Sequence, residues 1–378
     1  MRVVLFGAGA SSAAGYPTTA RLMQEVETYA LSQPRHLPGP RADWEYWREL
    51  RDGHLKSLEF LLTSPNPEVI LSTLDLYSAG HAAVRDAEEK HVRGYGQRRF
   101  TPEQEEAAKQ AAPKLFTARA AAQIPARARA CLVQCLHDYF QHRHQLDAAP
   151  EGAARYRYLS DLLSTLEPRD VVITFNWDAL AERVLARLGR WTPIDGYGLN
   201  FRRLRFRDAP IPGPPRSAIK VLKLHGSLGW YQPSHSWEGT GILLDGHSFL
   251  KQLGIDCDNE PFTHGNPTPG TDYSIYLRPY WDRPLIVYPT FLKAIGGRQF
   301  AALWQQAAAA LGRAEQIDIY GYSLPSSDGA GRVLLNAIRP RLSARGPKVQ
   351  VHDPSSGARL KWKYFLGKRA RYSAEPLM

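Results

Sequence analysis

The sequence predicts an α/β protein built on a doubly wound, Rossmann-like parallel sheet with a large helical insertion, and three observations predict it. Short apolar or β-branched runs recur at Arg2 to Phe6, Val171 to Phe175, Ile219 to Leu224, Leu285 to Tyr288, Ile317 to Tyr320 and Val349 to His352. Helical patterns follow several of these runs, and strands alternating with helices describe a parallel sheet covered on both faces. Between the first two runs, residues 32–155 carry helix signals and almost no strand signals. This gives an α/β core over 1–31 and 156–355, a helical insertion over 32–155, and a basic C-terminal tail over 356–378.

Each element has its own justification. Arg2 to Phe6 is apolar on both faces, as a buried parallel strand must be. Gly7-Ala8-Gly9-Ala10-Ser11 then reads as a turn, and a helix near Pro17 and Thr18 places Leu22, Val26 and Tyr29 on one face. Within the insertion, Asn66-Pro67-Glu68 reads as a helix start, an N-cap followed by a first-turn proline, with Gly80 as a stop. Thr101-Pro102-Glu103-Gln104 matches a capping box. A third helix is expected over about 125–145. In the core, Asp178 to Leu188 is expected to be helical and to stop at Gly189, followed by helices at Phe300 to Leu311 and Gly331 to Leu342. Residues 231–283, rich in Gly, Pro, Asp and aromatics, receive no assignment.

The chain has 378 residues, 43% of them hydrophobic and 22% charged, a composition that builds a proper core and excludes a disordered chain. No apolar run reaches the roughly 18 residues that a membrane span needs. The opening MRVVLFGAGASS has too short an apolar run and no cleavage pattern for a signal peptide. Its reading as a first strand makes the expected location cytoplasmic. The three cysteines, Cys131, Cys135 and Cys257, cannot form a four-cysteine zinc site, so no metal is expected. Cys131 and Cys135 share one helix face and read as buried structural thiols. The net charge of +11 has its clearest cluster at Arg359, Lys361, Lys363, Lys368, Arg369 and Arg371, interleaved with Trp362, Tyr364 and Phe365. Such a cluster fits nucleic acid, and it equally fits a solvated surface with no partner.

The residues that could carry chemistry all lie at the C-terminal ends of expected strands, where open α/β sheets bind ligands. Gly7, Ala8, Gly9 and Ser11 form a turn that brings backbone N–H groups close to a pyrophosphate or simply turns the chain. Ser12 occupies the third glycine position of the dinucleotide fingerprint, so the spacing departs from it. Thr174-Phe175-Asn176-Trp177-Asp178 offers an amide and a carboxylate, the latter equally suited to cap a helix. His225, in Lys223-Leu224-His225-Gly226-Ser227, is placed as a general base, or as a histidine satisfied by the backbone. Gly321-Tyr322-Ser323-Leu324-Pro325-Ser326-Ser327-Asp328 and Val351-His352-Asp353-Pro354 offer small residues and amides to a nucleotide, or are ordinary loops.

In this order, the Gly-Ala-Gly-x-Ser turn, the Asn-x-Asp, the Leu-His-Gly-Ser segment and the Gly-Tyr-Ser-Leu-Pro-x-x-Asp loop resemble sirtuin-like proteins. The wording is most similar to the sirtuin-like NAD hydrolases of bacterial anti-phage defence, as is Leu285-Ile286-Val287-Tyr288-Pro289-Thr290 with Lys293 after it. The resemblance spans the α/β core. It does not include the helical insertion, residues 231–283 or the basic tail.

The resemblance implies a sirtuin-type core that takes NAD as substrate. Gly7, Ala8, Gly9 and Ser11 would cradle the pyrophosphate. Asn176 would hold the nicotinamide ribose and its water, near Thr174 and Phe175, and Asp178 would position the carboxamide. His225 would be the base, Gly321, Tyr322 and Ser323 would line the nucleotide side, and Asp353 would lie near the adenosine ribose, where sirtuins commonly carry Asn. Nicotinamide leaves as a neutral group from a cationic linkage, so the expected chemistry needs no general acid. It passes through an oxocarbenium-like transition state that demands orientation and a dry pocket. Attack by water gives ADP-ribose. Deacylase sirtuins usually carry a zinc ribbon, and three cysteines are too few for one. The expected activity is therefore NAD hydrolysis, with a non-enzymatic NAD or ADP-ribose sensor and a deacylase as alternatives. A toxic hydrolase implies control by homo-oligomer assembly or by a protein partner such as a defence-system ATPase.

Overall fold

The computed structural model describes residues 1–34, 39–77, 124–125, 127–144, 146, 154–192, 195–199, 216–231, 243–244, 284–286, 297–343 and 345–375. Gly80, the capping box at Thr101, Cys257, Tyr288 and Lys293 lie outside these residues.

Six parallel strands form the main sheet: β1 (Arg2–Phe6), β2 (Val171–Thr174), β3 (Lys220–Lys223), β7 (Gln316–Tyr320), β8 (Lys348–His352) and β9 (Arg371–Ser373), in the order β3-β2-β1-β7-β8-β9. Counted along this sheet alone, that order is 3-2-1-4-5-6, the order of dinucleotide-binding α/β folds. The fold class expected from sequence is thus an α/β Rossmann-like sheet in fact. Val3, Val4 and Leu5 of β1 are fully buried, as are Ile173, Ile317, Ile319 and Val351 of its neighbours. This is the two-faced burial that removes alternation from a central parallel strand.

Three elements differ from the sequence expectation. A five-residue helix, α1 (Ala8–Ser12), follows β1 at once, before α2 (Thr19–Ser32). Its Ala, Gly and Ser composition carries no periodic apolar signal. Leu285 belongs to β6 (Pro284–Ile286), which pairs antiparallel with β4 (Gly226–Tyr231) in a separate sheet of order β5-β4-β6, with β5 at Leu243–Leu244. An apolar run announces a strand but not its partner. The segment 356–378, read as a tail, instead contributes a helix over Ser356–Leu366 and the edge strand β9. Trp362, fully buried, anchors that helix and donates from Nε1 to the Tyr322 carbonyl at 2.7 Å.

The chain divides into two compact units, 1–18 with 140–378 and 19–139. The first holds both sheets. The second is helical: α2, then α3 (Pro40–Glu49), with further helical residues over 67–77 and 127–139. Leu22, Val26, Ala30, Trp44, Trp47 and Leu132 are buried there, and Asn66 Oδ1 accepts from Glu68 N at 2.8 Å, the cap expected at that position. Cys131 and Cys135 are free thiols. Burial pushes Cys131 up to about 11 and Cys135 higher still, which favours the thiol over the thiolate at both. No described helix is long and apolar enough to cross a membrane.

Candidate active site

The sheet topology brings the sequence candidates together. Gly7, Asn176, His225 and Gly321 follow the C-terminal ends of β1, β2, β3 and β7, four strands adjacent in one sheet. Two side-chain clusters form there.

The first joins Asn176, Ser11 and Asp178. Thr174 Oγ1 accepts from Asn176 N at 3.0 Å and fixes the turn leaving β2. Asn176 Nδ2 donates to the Gly7 carbonyl at 3.0 Å and to Ser11 Oγ at 3.1 Å. Ser11 Oγ donates in turn to Asp178 Oδ2 at 2.9 Å, while Asp178 Oδ1 accepts at 3.0 Å from the N–H of Leu180, the first residue of the helix Leu180–Arg187. All three residues are buried, and they border a small cavity with Thr174, Phe6 and Ala10. The amide orientation follows from the Gly7 carbonyl, which only the NH2 group can meet. This leaves Asn176 Oδ1 without a hydrogen bond among the described residues.

The second cluster surrounds Phe175. Its ring stacks on Tyr322 at 4.3 Å and 16°, and meets the His225 ring edge-on at 4.8 Å and 61°. Asp328, fully buried, lies behind them. Its Oδ2 is 3.1 Å from His225 Nε2 and accepts from Tyr322 OH at 2.6 Å, and its Oδ1 accepts from Gly331 N at 2.9 Å. The Asp328 carboxylate thus sets a negative charge within ion-pair distance of the imidazole. Sequence reading named Asp328 only as the end of a loop. Its signal was its position, at the N-cap of the helix Gly329–Asn336, eight residues after Tyr320, the last β7 residue paired with β1.

The glycines do something other than offer open backbone. Gly7 N donates to Tyr320 O at 3.0 Å and Gly9 N to Gly321 O at 2.9 Å. A Cβ on Gly7 would stand 2.6 Å from Tyr322 Cα, and one on Gly9 2.8 Å from Gly321 Cα. The absent side chains let the loops after β1 and β7 touch, so these two N–H groups are already used. Gly321 has φ +60°, and a Cβ there would overlap Ala10 N and Gly9 C. Gly321→Ala is expected to destabilise the fold by about 2–4 kcal/mol, adding backbone strain to overpacking. Gly189→Ala, at φ +66° with nothing within 4 Å, is expected to lose only about 1–2 kcal/mol. Urea midpoints of the two variants measure the difference, and equal midpoints would remove the packing argument.

Beneath the site are groups that sequence reading missed. Lys223 and Glu182 form an ion pair of 2.9 Å with side chains 0% and 1% exposed. Lys223 Nζ also donates to the Asp178 carbonyl, and Tyr197 OH donates to Glu182 Oε1 at 3.2 Å. Burial pushes the Glu182 carboxyl up, and Lys223 opposes that push. His144, buried at the end of the helix 127–144, accepts from Ala179 N at 3.4 Å and its Nδ1 meets Tyr16 OH at 2.8 Å. His144 falls within the helical insertion expected from sequence, and no local pattern links it to Ala179.

Two candidates stand apart. Ser323 is exposed. Asp353 is buried, but its carboxylate accepts from Ser355 N at 2.9 Å and its own N–H donates to Ser373 O at 3.1 Å, so its bonds tie the turn after β8 to β9. Burial pushes its carboxyl upward. Among the described residues no group of three or more His, Cys, Asp or Glu side chains could hold a metal ion. No protein-family model matches the sequence, and no curated protein matches it.

Proposed function

We propose that the protein is an NAD glycohydrolase, with a sirtuin-type core, that cleaves the nicotinamide–ribose bond to give nicotinamide and ADP-ribose. The observation that carries this reading is the convergence of Ser11, Asn176, Asp178, His225 and Tyr322 on four adjacent strand ends of a 3-2-1-4-5-6 sheet, with Asn176, whose Oδ1 makes no hydrogen bond among the described residues, lining a small cavity. An acceptor oxygen held by its own amide's bond to Gly7 is suited to orient a ribose hydroxyl or a water. His225, backed by Asp328, is suited to take a proton from either. Phe175 and Tyr322 supply an aromatic wall that keeps water out as positive charge develops on the ribose. The ordered motifs resembling defence-associated sirtuin-like hydrolases point to the same substrate, to a helical unit in place of a zinc ribbon, and to a regulated effector that assembles as a homo-oligomer or with an ATPase partner.

One observation favours a second reading, a sensor that binds NAD or ADP-ribose without turnover. Both Asp178 oxygens are engaged by Ser11 and Leu180, so the carboxylate is satisfied without any ligand. Incubation of the purified protein with NAD, following free nicotinamide beside a His225→Ala variant, separates the two. Release that the variant lacks supports hydrolysis. Binding of NAD with no release, even at high protein concentration, supports the sensor. Absence of binding overturns both.

A further inference from the structure

The charge of this protein is concentrated in one stretch of chain. Residues 329–373 contain eleven Lys or Arg and a single acid, Asp353, and so hold ten of the chain's eleven net positive charges. That acid is buried and committed to its own turn. None of the eleven basic side chains forms an ion pair among the described residues.

These residues occupy the β8–β9 edge of the main sheet with the helix Ser356–Leu366 between the two strands. Lys348, Lys361, Lys363, Lys368, Arg369 and Arg371 are all exposed. Arg339 stands 5.8 Å over the Phe365 ring, and Arg369 donates to the Leu342 carbonyl, so the turn after Asn336 adjoins the same helix. Tyr364 is 83% exposed, three residues after Lys361 on the same face of the helix Ser356–Leu366, and Lys368 follows just past the helix end. A protein that merely needs solubility intersperses both signs on its surface, whereas uncompensated charge of one sign raises the local concentration of counter-charged polymers.

We infer that this edge binds the sugar-phosphate backbone of a single-stranded nucleic acid, with Tyr364 as a stacking platform for a base. A groove of cations with an interposed exposed ring is the general device for holding single strands without reading their sequence. An anionic membrane fits less well. A helix that binds in a lipid interface buries its apolar face there, and here Ala358, Trp362 and Leu366 are already in the core. The inference is independent of the NAD reading.

The test is fluorescence anisotropy with a labelled 20-nucleotide oligo-dT and the full chain, at 50 and 200 mM salt. Three variants are compared: Lys361→Glu/Lys363→Glu/Lys368→Glu, Tyr364→Ala, and a control, Arg48→Glu/Lys56→Glu, at exposed positions elsewhere. Thermal melting establishes that each is folded. The parent is expected to bind with strong salt dependence, the triple variant to lose at least about tenfold in affinity with a shallower salt slope, and Tyr364→Ala to lose about tenfold. The control is expected to bind within about threefold of the parent. No binding at 50 mM salt, a folded triple variant that binds as the parent does, or binding confined to phosphatidylserine vesicles overturns the inference.

Discussion

Asn176→Ala is expected to lower the rate of nicotinamide release by about a hundredfold or more, with KM changed only a few-fold. The substitution removes two things at once. It deletes the hydrogen bond from Nδ2 to the Gly7 carbonyl that ties the turn after β2 to the turn after β1. It also deletes Oδ1, an acceptor with no hydrogen bond among the described residues. A loss confined to kcat would place that oxygen against the reacting ribose and not merely along the route of binding. Asn176→Asp sharpens the test, because it keeps an acceptor of the same size but sets a carboxylate against the Gly7 carbonyl and Ser11. It too is expected to be nearly inactive. Full activity in the alanine variant would move the reaction away from this strand end altogether.

Lys223→Met is expected to destabilise the protein by about 3–5 kcal/mol, read as a lower urea midpoint. Lys223 is fully buried at the end of β3, and its ammonium is shared between Glu182 and the Asp178 carbonyl. Methionine nearly matches its length but leaves the Glu182 carboxylate buried with Tyr197 on one oxygen and nothing on the other. The double variant Lys223→Met/Glu182→Leu removes both charges and is expected to recover most of the lost stability, since a buried pair replaced by apolar groups is often neutral. If the double variant recovers stability without recovering nicotinamide release, the pair serves to hold the Asp178 backbone in register. If neither variant is destabilised, the ion pair contributes nothing to the fold.

Much of this fold was legible because its central strands are apolar on both faces. β1, β2, β3, β7 and β8 announce themselves as short β-branched runs, and the site residues Asn176 and His225 were found simply as the polar residues that follow them. Partnership was not legible. Nothing in Leu285-Ile286 distinguishes a parallel strand of the main sheet from an antiparallel neighbour of β4. Arg371-Tyr372-Ser373 has no apolar run, because an edge strand with backbone pairing on one side needs none. The site was legible residue by residue but not as a network. That Ser11 bridges Asn176 and Asp178, or that Asp328 lies against His225, depends on loops 100 residues or more apart being laid side by side, and no local spacing encodes it.

The position of β1 also sets the order in which the protein can form. It is the first strand of the sheet to be synthesised and lies at its centre, yet its two neighbours begin at Val171 and Gln316. At ribosomal rates of about 5–20 residues per second, β1 is made roughly ten to thirty seconds before β2, and about twice as long before β7. During that interval Val3-Val4-Leu5-Phe6 has neither of its sheet neighbours, and closing the sheet requires the two strand pairings of longest range among the described residues. Folding of the nascent chain is therefore governed by loop closure over more than 160 residues, slow and exposed to aggregation, and a holding chaperone that covers β1 would have its greatest effect before residue 171 is made.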